Sequence, residues 1–176
     1  YSVNSAIKYC EKKKKNQDYD WTYRNLCVKH LGFTHSDMSK PLFQIFNLIL
    51  EHRKHFVGRI RLFDDVEYLL YKGQKIHATW GGAKGWQTSI FNDDNLGYYW
   101  IRLKRDFTSE EMTFLKNKYS KLNEAEFQKL TESLSKITTG EMVPYYIMRY
   151  GFYEGHTSYR ADPIAISFIF GLKSLQ

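Results

Sequence analysis

The segment VEYLLYKGQKIHATW, residues 66–80, is rich in β-branched and aromatic residues and is interrupted at Lys72-Gly73. A run of this composition broken by a two-residue turn is typical of a β-hairpin. Similar runs lie on both sides of it: RIRLFDD (59–65), QTSIFNDDN (87–95) and GYYWIRLKRDF (97–107). We therefore predict three or four antiparallel strands between residues 58 and 107.

The sequence before this β-rich part favours helices. Apolar residues recur at helical spacing over residues 2–12. Asp18 or Asp20 is placed to cap a second helix that would reach about His30 and stop at Gly32. FTHSDMSKP (33–41) then reads as a loop in which Ser39 caps a third helix, from Pro41 to about His55. Because that helix is apolar nearly all round, we expect it at the centre of the core.

Capping signals mark the helices that follow residue 107. Thr108 and Glu111 have the spacing of a capping box and predict a helix over 109–121. Asn123 is the predicted cap of a helix over 124–137, which residues 138–140 would end. The apolar run 144–153 is compatible with a strand or a helix, with a helix favoured, and Asp162-Pro163 opens the final helix.

These elements predict an α+β fold with a helical majority and a small central antiparallel sheet at about residues 58–107. We find no internal repeat, linker or sharp change in composition, so residues 1–176 are expected to form a single domain. Its parts would be an N-terminal basic helical part (1–57), a β-rich part (58–107) and a C-terminal helical part (108–176).

Composition places the chain among ordinary folded proteins. Its 176 residues are 43% apolar and 26% charged, and aromatic residues reach 17%. No apolar run approaches the roughly 20 residues of a membrane span, so we expect no membrane association. The spacing of Cys10 and Cys27 and the absence of a secretory pattern favour reduced thiols and a cytoplasmic location.

Positive charge is concentrated at the N-terminal end. The net charge is +7, and residues 1–60 carry 11 Lys and Arg against 5 Asp and Glu. Lysine neutralises phosphate and aromatic faces stack on bases, so a nucleic-acid or other polyanion surface is one interpretation. A merely solvated helix end is the other. The candidate nucleic-acid-binding residues are Lys12, Lys13, Lys14, Lys15, Trp21, Tyr23 and Arg24.

The stretch GFYEGHTSYRADP, residues 151–163, gathers several ionisable side chains between two apolar runs. As a catalytic site it would use His156 for proton transfer, Glu154 to orient that ring and Arg160 to hold an anion, with His77 as a further candidate. As a polar joint it would use Asp162 as a helix cap, Arg160 as a partner for Glu154 and Gly155 in the turn. Both interpretations remain open from the sequence.

A second candidate segment is HATWGGAKGWQ, residues 77–87. Trp80, Lys84 and Trp86 are candidates for stacking on a base or sugar. Its glycines match neither phosphate-binding fingerprint, which favours a wide hairpin instead.

No motif in the sequence indicates a metal or a cofactor. His52 and His55 lack the further ligands of a metal framework, and we expect neither metal nor cofactor. The leading hypothesis is a soluble intracellular protein that binds nucleic acid or another polyanion through its basic, aromatic-rich N-terminal surface. The alternatives are a metal-independent phosphodiesterase or nuclease-like enzyme using His156 and Arg160, and a protein–protein interaction module. Whether the protein is an enzyme is left open.

Overall fold

The computed structural model describes residues 17–54, 67–93, 96–154 and 159–172. Within them, helices account for about half of the residues and the strands form one antiparallel sheet. The predicted α+β fold with a helical majority and a small antiparallel sheet is confirmed. The helices are α1 (Gln17–His30), α2 (His35–Lys54), α3 (Ser109–Lys118), α4 (Glu124–Ser135), α5 (Val143–Tyr150) and α6 (Pro163–Ile169). The strands are β1 (Glu67–Tyr71), β2 (Gln74–Thr88), β3 (Leu96–Lys104) and β4 (Lys136–Gly140).

The sheet has the order β1-β2-β3-β4. The predicted turn at Lys72-Gly73 joins β1 to β2, and both residues have positive φ, 47° and 79°, as a type I′ hairpin turn requires. Strand β2 pairs with β3 from His77 to Gly82, and the pairing resumes at Gln87. Residues 77–87 therefore lie within one irregular strand, and their interpretation as a wide hairpin is wrong.

Strand β4 was not predicted. The sequence places residues 136 and 137 at the end of a helix and 138–140 after it, whereas residues 136–140 pair with β3 in the structure. Helix α4 ends at Ser135, and the chain passes directly into the strand. Five residues are too short for a periodic signal, and the partner strand lies more than 30 residues earlier in the chain, so this pairing is decided by tertiary structure.

Helix α2 begins earlier than predicted. The Thr34 hydroxyl accepts from the Asp37 amide at 3.2 Å, while the Asp37 carboxylate accepts from the Thr34 amide at 2.8 Å. This reciprocal cap starts the helix at His35 and places Pro41 inside it. The prediction of a Ser39 cap is therefore wrong, and the Ser39 hydroxyl donates instead to the carbonyl of Ser36.

The caps of the three later helices follow the sequence signals, whereas the predicted cap at Asp18 or Asp20 is wrong because both residues lie inside α1. Thr108 and Asn123 each form a complete capping box, at the starts of α3 and α4. Helix α1 ends before Gly32, which has φ 77°, and α5 confirms the preference for a helix at 144–153. The Asp162 carboxylate accepts from the Ile164 amide at 2.8 Å and opens α6 as predicted. The helix predicted at 2–12 lies outside the described residues.

The helices pack against one face of the sheet. Buried side chains from β2, β3 and β4 meet buried side chains from α1, α2, α5 and α6 in one core. A smaller cluster joins Phe91, Met142, Tyr146 and Phe152 beside it. On the strands, the core residues are Ile76, Ala78, Ile101, Leu103 and Ile137. Because neighbouring side chains of a strand point to opposite faces, the residues between them lie on the other face of the sheet.

Candidate functional site

The face of the sheet opposite the helices, here called the outer face, carries a concentration of positive charge. On β3, Ile101 and Leu103 are fully buried, whereas Arg102 and Lys104 are exposed and Trp100 is half-buried. On β4, Lys136 is exposed beside the buried Ile137. Alternation along two neighbouring strands therefore gathers cationic side chains on one surface.

Strand register orders the outer face into three rows that cross β2, β3 and β4. Direct partners in adjacent strands stand about 5 Å apart and so form continuous rows. The rows are His77–Lys104–Lys136, Thr79–Arg102–Thr138 and Gly81–Trp100–Gly140. Lys75, also exposed, lies two residues before His77 on β2. Strand β3 thus presents Arg102 and Trp100 between smaller neighbours, and Lys104 between His77 and Lys136.

The first row sets like charges side by side. Lys104 and Lys136 are direct cross-strand partners, an arrangement that destabilises a sheet. Asp106 offsets part of this charge: Lys104 Nζ lies 3.1 Å from Asp106 Oδ1, and His77 Nε2 lies 3.5 Å from Asp106 Oδ2. The Lys104 and Asp106 side chains are 57% and 65% exposed, so water weakens their pairing. The row keeps a net positive charge.

The third row holds an aromatic ring on a glycine. A Cβ on Gly81 would lie 2.7 Å from the Trp100 ring, so the indole rests directly on the Gly81 backbone. On the other side of Trp100, a Cβ on Gly140 would meet only Gln87 Oε1, at 3.8 Å, which is an ordinary contact. Trp100 therefore stands beside a position where a side chain would fit and none is present.

A second charge-rich region, here called the polar junction, consists of Arg24, His35, Tyr153 and Asp162. Arg24 is 5% exposed, and its Nη1 lies 2.5 Å from Asp162 Oδ2. His35 Nδ1 and the Tyr153 hydroxyl form a hydrogen bond of 3.0 Å. Burial lowers the pKa of His35 and raises the pKa of Tyr153. The junction ties α1, α2 and the residues before α6 together through paired polar groups.

The candidate catalytic residues occupy different places. His77 lies on the outer face. Glu154 is buried, 9% exposed, and lies near Tyr146. Burial raises the pKa of Tyr146, and the negative charge of Glu154 raises it further. Arg160 is exposed, and His156 lies outside the described residues. Of the polar-joint interpretation, the Asp162 cap is confirmed. The catalytic role of these residues stays a prediction.

The candidate nucleic-acid-binding residues fall mostly outside the described structure. Lys12 to Lys15 lie there entirely, as do the side chains of Trp21 and Tyr23, whose backbones belong to α1. Arg24 is the exception, and its guanidinium belongs to the polar junction. Among the exposed cations of the described residues, those of the outer face lie on neighbouring strands.

The candidate stacking residues have separate environments. Trp80 is half-buried and packs against the core, in register with the buried Ile101. Trp86 is 70% exposed, and its ring centroid lies 5.4 Å from that of Tyr98. The side chain of Lys84 lies outside the described part, as do those of His52 and His55.

Sequence reasoning missed most of the outer face, and one signal in the sequence was available. Alternation in WIRLK, residues 100–104, separates Trp100, Arg102 and Lys104 from two core residues. No comparable signal identifies Lys136, because its strand was not predicted and its row depends on pairing with β3.

The described residues contain no candidate metal site and no candidate membrane span. Within residues 17–54, 67–93, 96–154 and 159–172, no group of three His, Cys, Asp or Glu side chains is placed to hold a metal ion. None of the helices described has the length and apolarity needed to cross a membrane. Comparison of the chain with protein-family models, with curated proteins and with solved structures finds no match.

Proposed function

We propose that the protein binds a polyanion, with nucleic acid the first candidate, and that the outer face of the sheet takes part. The observation that supports this proposal is the direct pairing of Lys104 with Lys136 on an exposed surface. Such a pair costs folding stability, the exposed Asp106 offsets it only at Lys104, and an anion bound over both ammonium groups would be attracted to each of them.

Three further features are consistent with this function. Arg102 occupies the next row and has the planar, five-donor head that suits a phosphate. Lys75 extends the positive charge along β2. The chain as a whole carries +7, which favours encounter with polyanions through the long-range field. Lys12–Lys15, which we predict from the sequence to bind nucleic acid, would add to the same attraction.

The experiment is a salt series of binding to a fluorescein-labelled single-stranded 12-mer, followed by anisotropy. If Lys75, Arg102, Lys104 and Lys136 each neutralise one phosphate, log K should fall against log salt with a slope of about −3, steeper if Lys12–Lys15 also contribute. Arg102→Gln and Lys136→Gln should each weaken binding and flatten that slope by about 0.7.

Lys129→Gln is the matched control, since Lys129 is an exposed lysine within helix α4 and belongs to none of the three rows. It should leave both affinity and slope unchanged. Replacing Lys12–Lys15 by glutamine in the same assay measures the N-terminal contribution separately. Absence of salt-sensitive binding by the wild-type protein at low ionic strength would refute the proposal.

A further inference from the structure

The outer face combines its cations with the Trp100 ring in a fixed order along a single strand. Trp100, Arg102 and Lys104 are alternate residues of β3, so successive side chains lie about 7 Å apart and the three together span about 13 Å. Nucleic-acid phosphates lie on one side of each nucleotide and its base on the other. A strand that offers cations at one end and an indole at the other can contact both.

Trp100 has no side chain directly beside it on either neighbouring strand, although the backbone at Gly81 and Gly140 is itself buried. Both of its cross-strand partners, Gly81 and Gly140, lack a side chain. Gly81 is required by the indole that rests on it. Nothing in the structure requires a glycine at position 140. Its φ is not positive, and an added Cβ would have no neighbouring atom closer than 3.8 Å. Glycine inside a strand weakens the sheet and often marks a place where a ligand approaches closely.

From this juxtaposition of Trp100 with Arg102 and Lys104 we infer that the ligand is a single-stranded nucleic acid, one base of which stacks on Trp100 while its phosphates lie on the cations. The inference rests on the proposed function and specifies the ligand of the same face. A base can stack on a protein ring only when it is free of its own neighbours, as in a single strand. In a duplex, the bases are stacked on each other and the sheet can meet only the backbone.

The test compares three labelled 12-mers at one salt concentration: an ordinary single strand, a single strand of abasic sites and a duplex. The two single strands carry the same backbone phosphates and the duplex carries about twice as many, but only the first ligand has bases free to stack. If one base stacks on Trp100, the ordinary strand should bind about five- to a hundredfold more tightly than the abasic strand. Equal affinity for the two, with salt-sensitive binding to both, would overturn the stacking inference and leave polyanion binding intact.

Two substitutions locate the stacking position. Gly140→Val fills the space beside Trp100, so it should reduce affinity for the ordinary strand at least fivefold and leave the abasic strand within twofold. Its melting temperature should not fall, because valine suits an extended strand. Trp100→Leu should have the same selective effect if the variant folds, and Gly140→Val decides the matter if it does not.

Trp86→Leu is the matched tryptophan control, because Trp86 is exposed and lies outside the three rows. It should bind the ordinary and the abasic strand as the wild type does. A loss of stacking in Trp86→Leu with none in Gly140→Val would overturn the assignment to Trp100. Duplex binding as tight as single-strand binding would overturn the inference as well, and failure to bind any of the three would remove the proposed function with it.

Discussion

The polar junction and the outer face are both rich in ionisable side chains, yet they arrange them in opposite ways. In the polar junction, Arg24 is buried and has a carboxylate, that of Asp162, within 2.5 Å. On the outer face, Lys104 and Lys136 are exposed and paired with each other. One region places opposite charges together away from water, and the other places like charges together in water.

The difference shows which region serves folding. Burial of Arg24 without Asp162 would cost several kcal/mol, so the packed arrangement of the helices depends on the complete pair. The two lysines repel each other, and the contact of Lys104 with Asp106 is exposed and weak, so replacing Lys136 should cost the fold little. Substitutions in the two regions should therefore separate stability from binding, and the following predictions run from the largest expected effect to the smallest.

Arg24→Ala should destabilise the protein by about 2 to 4 kcal/mol. The substitution removes a buried guanidinium and leaves the Asp162 carboxylate, which is 33% exposed, without its nearest cation. Partial exposure of Asp162 places the expected value below that of a fully buried pair. Urea denaturation at pH 7 measures the loss.

Arg24→Lys is the control that retains the charge and loses the planar donor head. It should recover only part of the stability. At a temperature where the variants remain folded, polyanion affinity should stay within twofold of the wild type in both. A large loss of affinity in folded Arg24→Lys would instead support the sequence-based prediction that Arg24 binds nucleic acid.

Lys136→Glu should reduce affinity for a polyanion with little effect on stability, which is the opposite of the effect expected for Arg24→Ala. It replaces a like-charged cross-strand pair by an opposite-charged one but also puts a carboxylate at the C-terminal end of α4. These opposing effects should leave stability within about 0.5 kcal/mol of the wild type. Affinity for a polyanion should fall at least as far as in Lys136→Gln, because the new carboxylate repels phosphate. Thermal melts and the anisotropy assay measure the two effects on one sample. A destabilised variant with full affinity would show that Lys136 serves the fold and not the ligand.

His35 should have a smaller, pH-dependent effect on the stability of the protein. Burial lowers its pKa below 6.5, so the unfolded chain takes up a proton at a higher pH than the folded protein does. Stability is therefore fully present above pH 6.5 and declines as the pH falls from 6.5 towards the folded pKa. Melting temperatures at pH 7.5 and 5.5 should differ more for the wild type than for His35→Gln. Equal differences would show that other groups account for the acid dependence.

Local signals predicted the elements whose ends are determined by neighbouring residues. Thr108, Asn123 and Asp162 each satisfy amides within three residues of themselves, so their spacing alone located the starts of three helices. The turn at Lys72-Gly73 was equally local. The start of α2 was missed because Thr34 and Asp37 form a cap with aspartate in place of glutamate, a weaker form of the capping-box pattern.

The candidate site could be predicted only in part. Alternation along β3 is contained in the sequence and assigns Arg102 and Lys104 to one face. The sequence could not show which face the helices cover, nor that Lys136 would stand beside Lys104. Arg24 illustrates the converse, since its position among basic and aromatic residues suggested a surface role and the fold places it in an ion pair with a residue 138 positions away.

The sequence by itself therefore determined the class of the fold, the β-rich segment and most helix starts, since these depend on periodicity and on hydrogen bonds within a few residues. Tertiary structure alone decided the pairing of β4 with β3, the register that forms the three rows and the burial of Arg24 against Asp162. These contacts join residues far apart in the chain, and their free energy depends on packing and desolvation that no local pattern encodes.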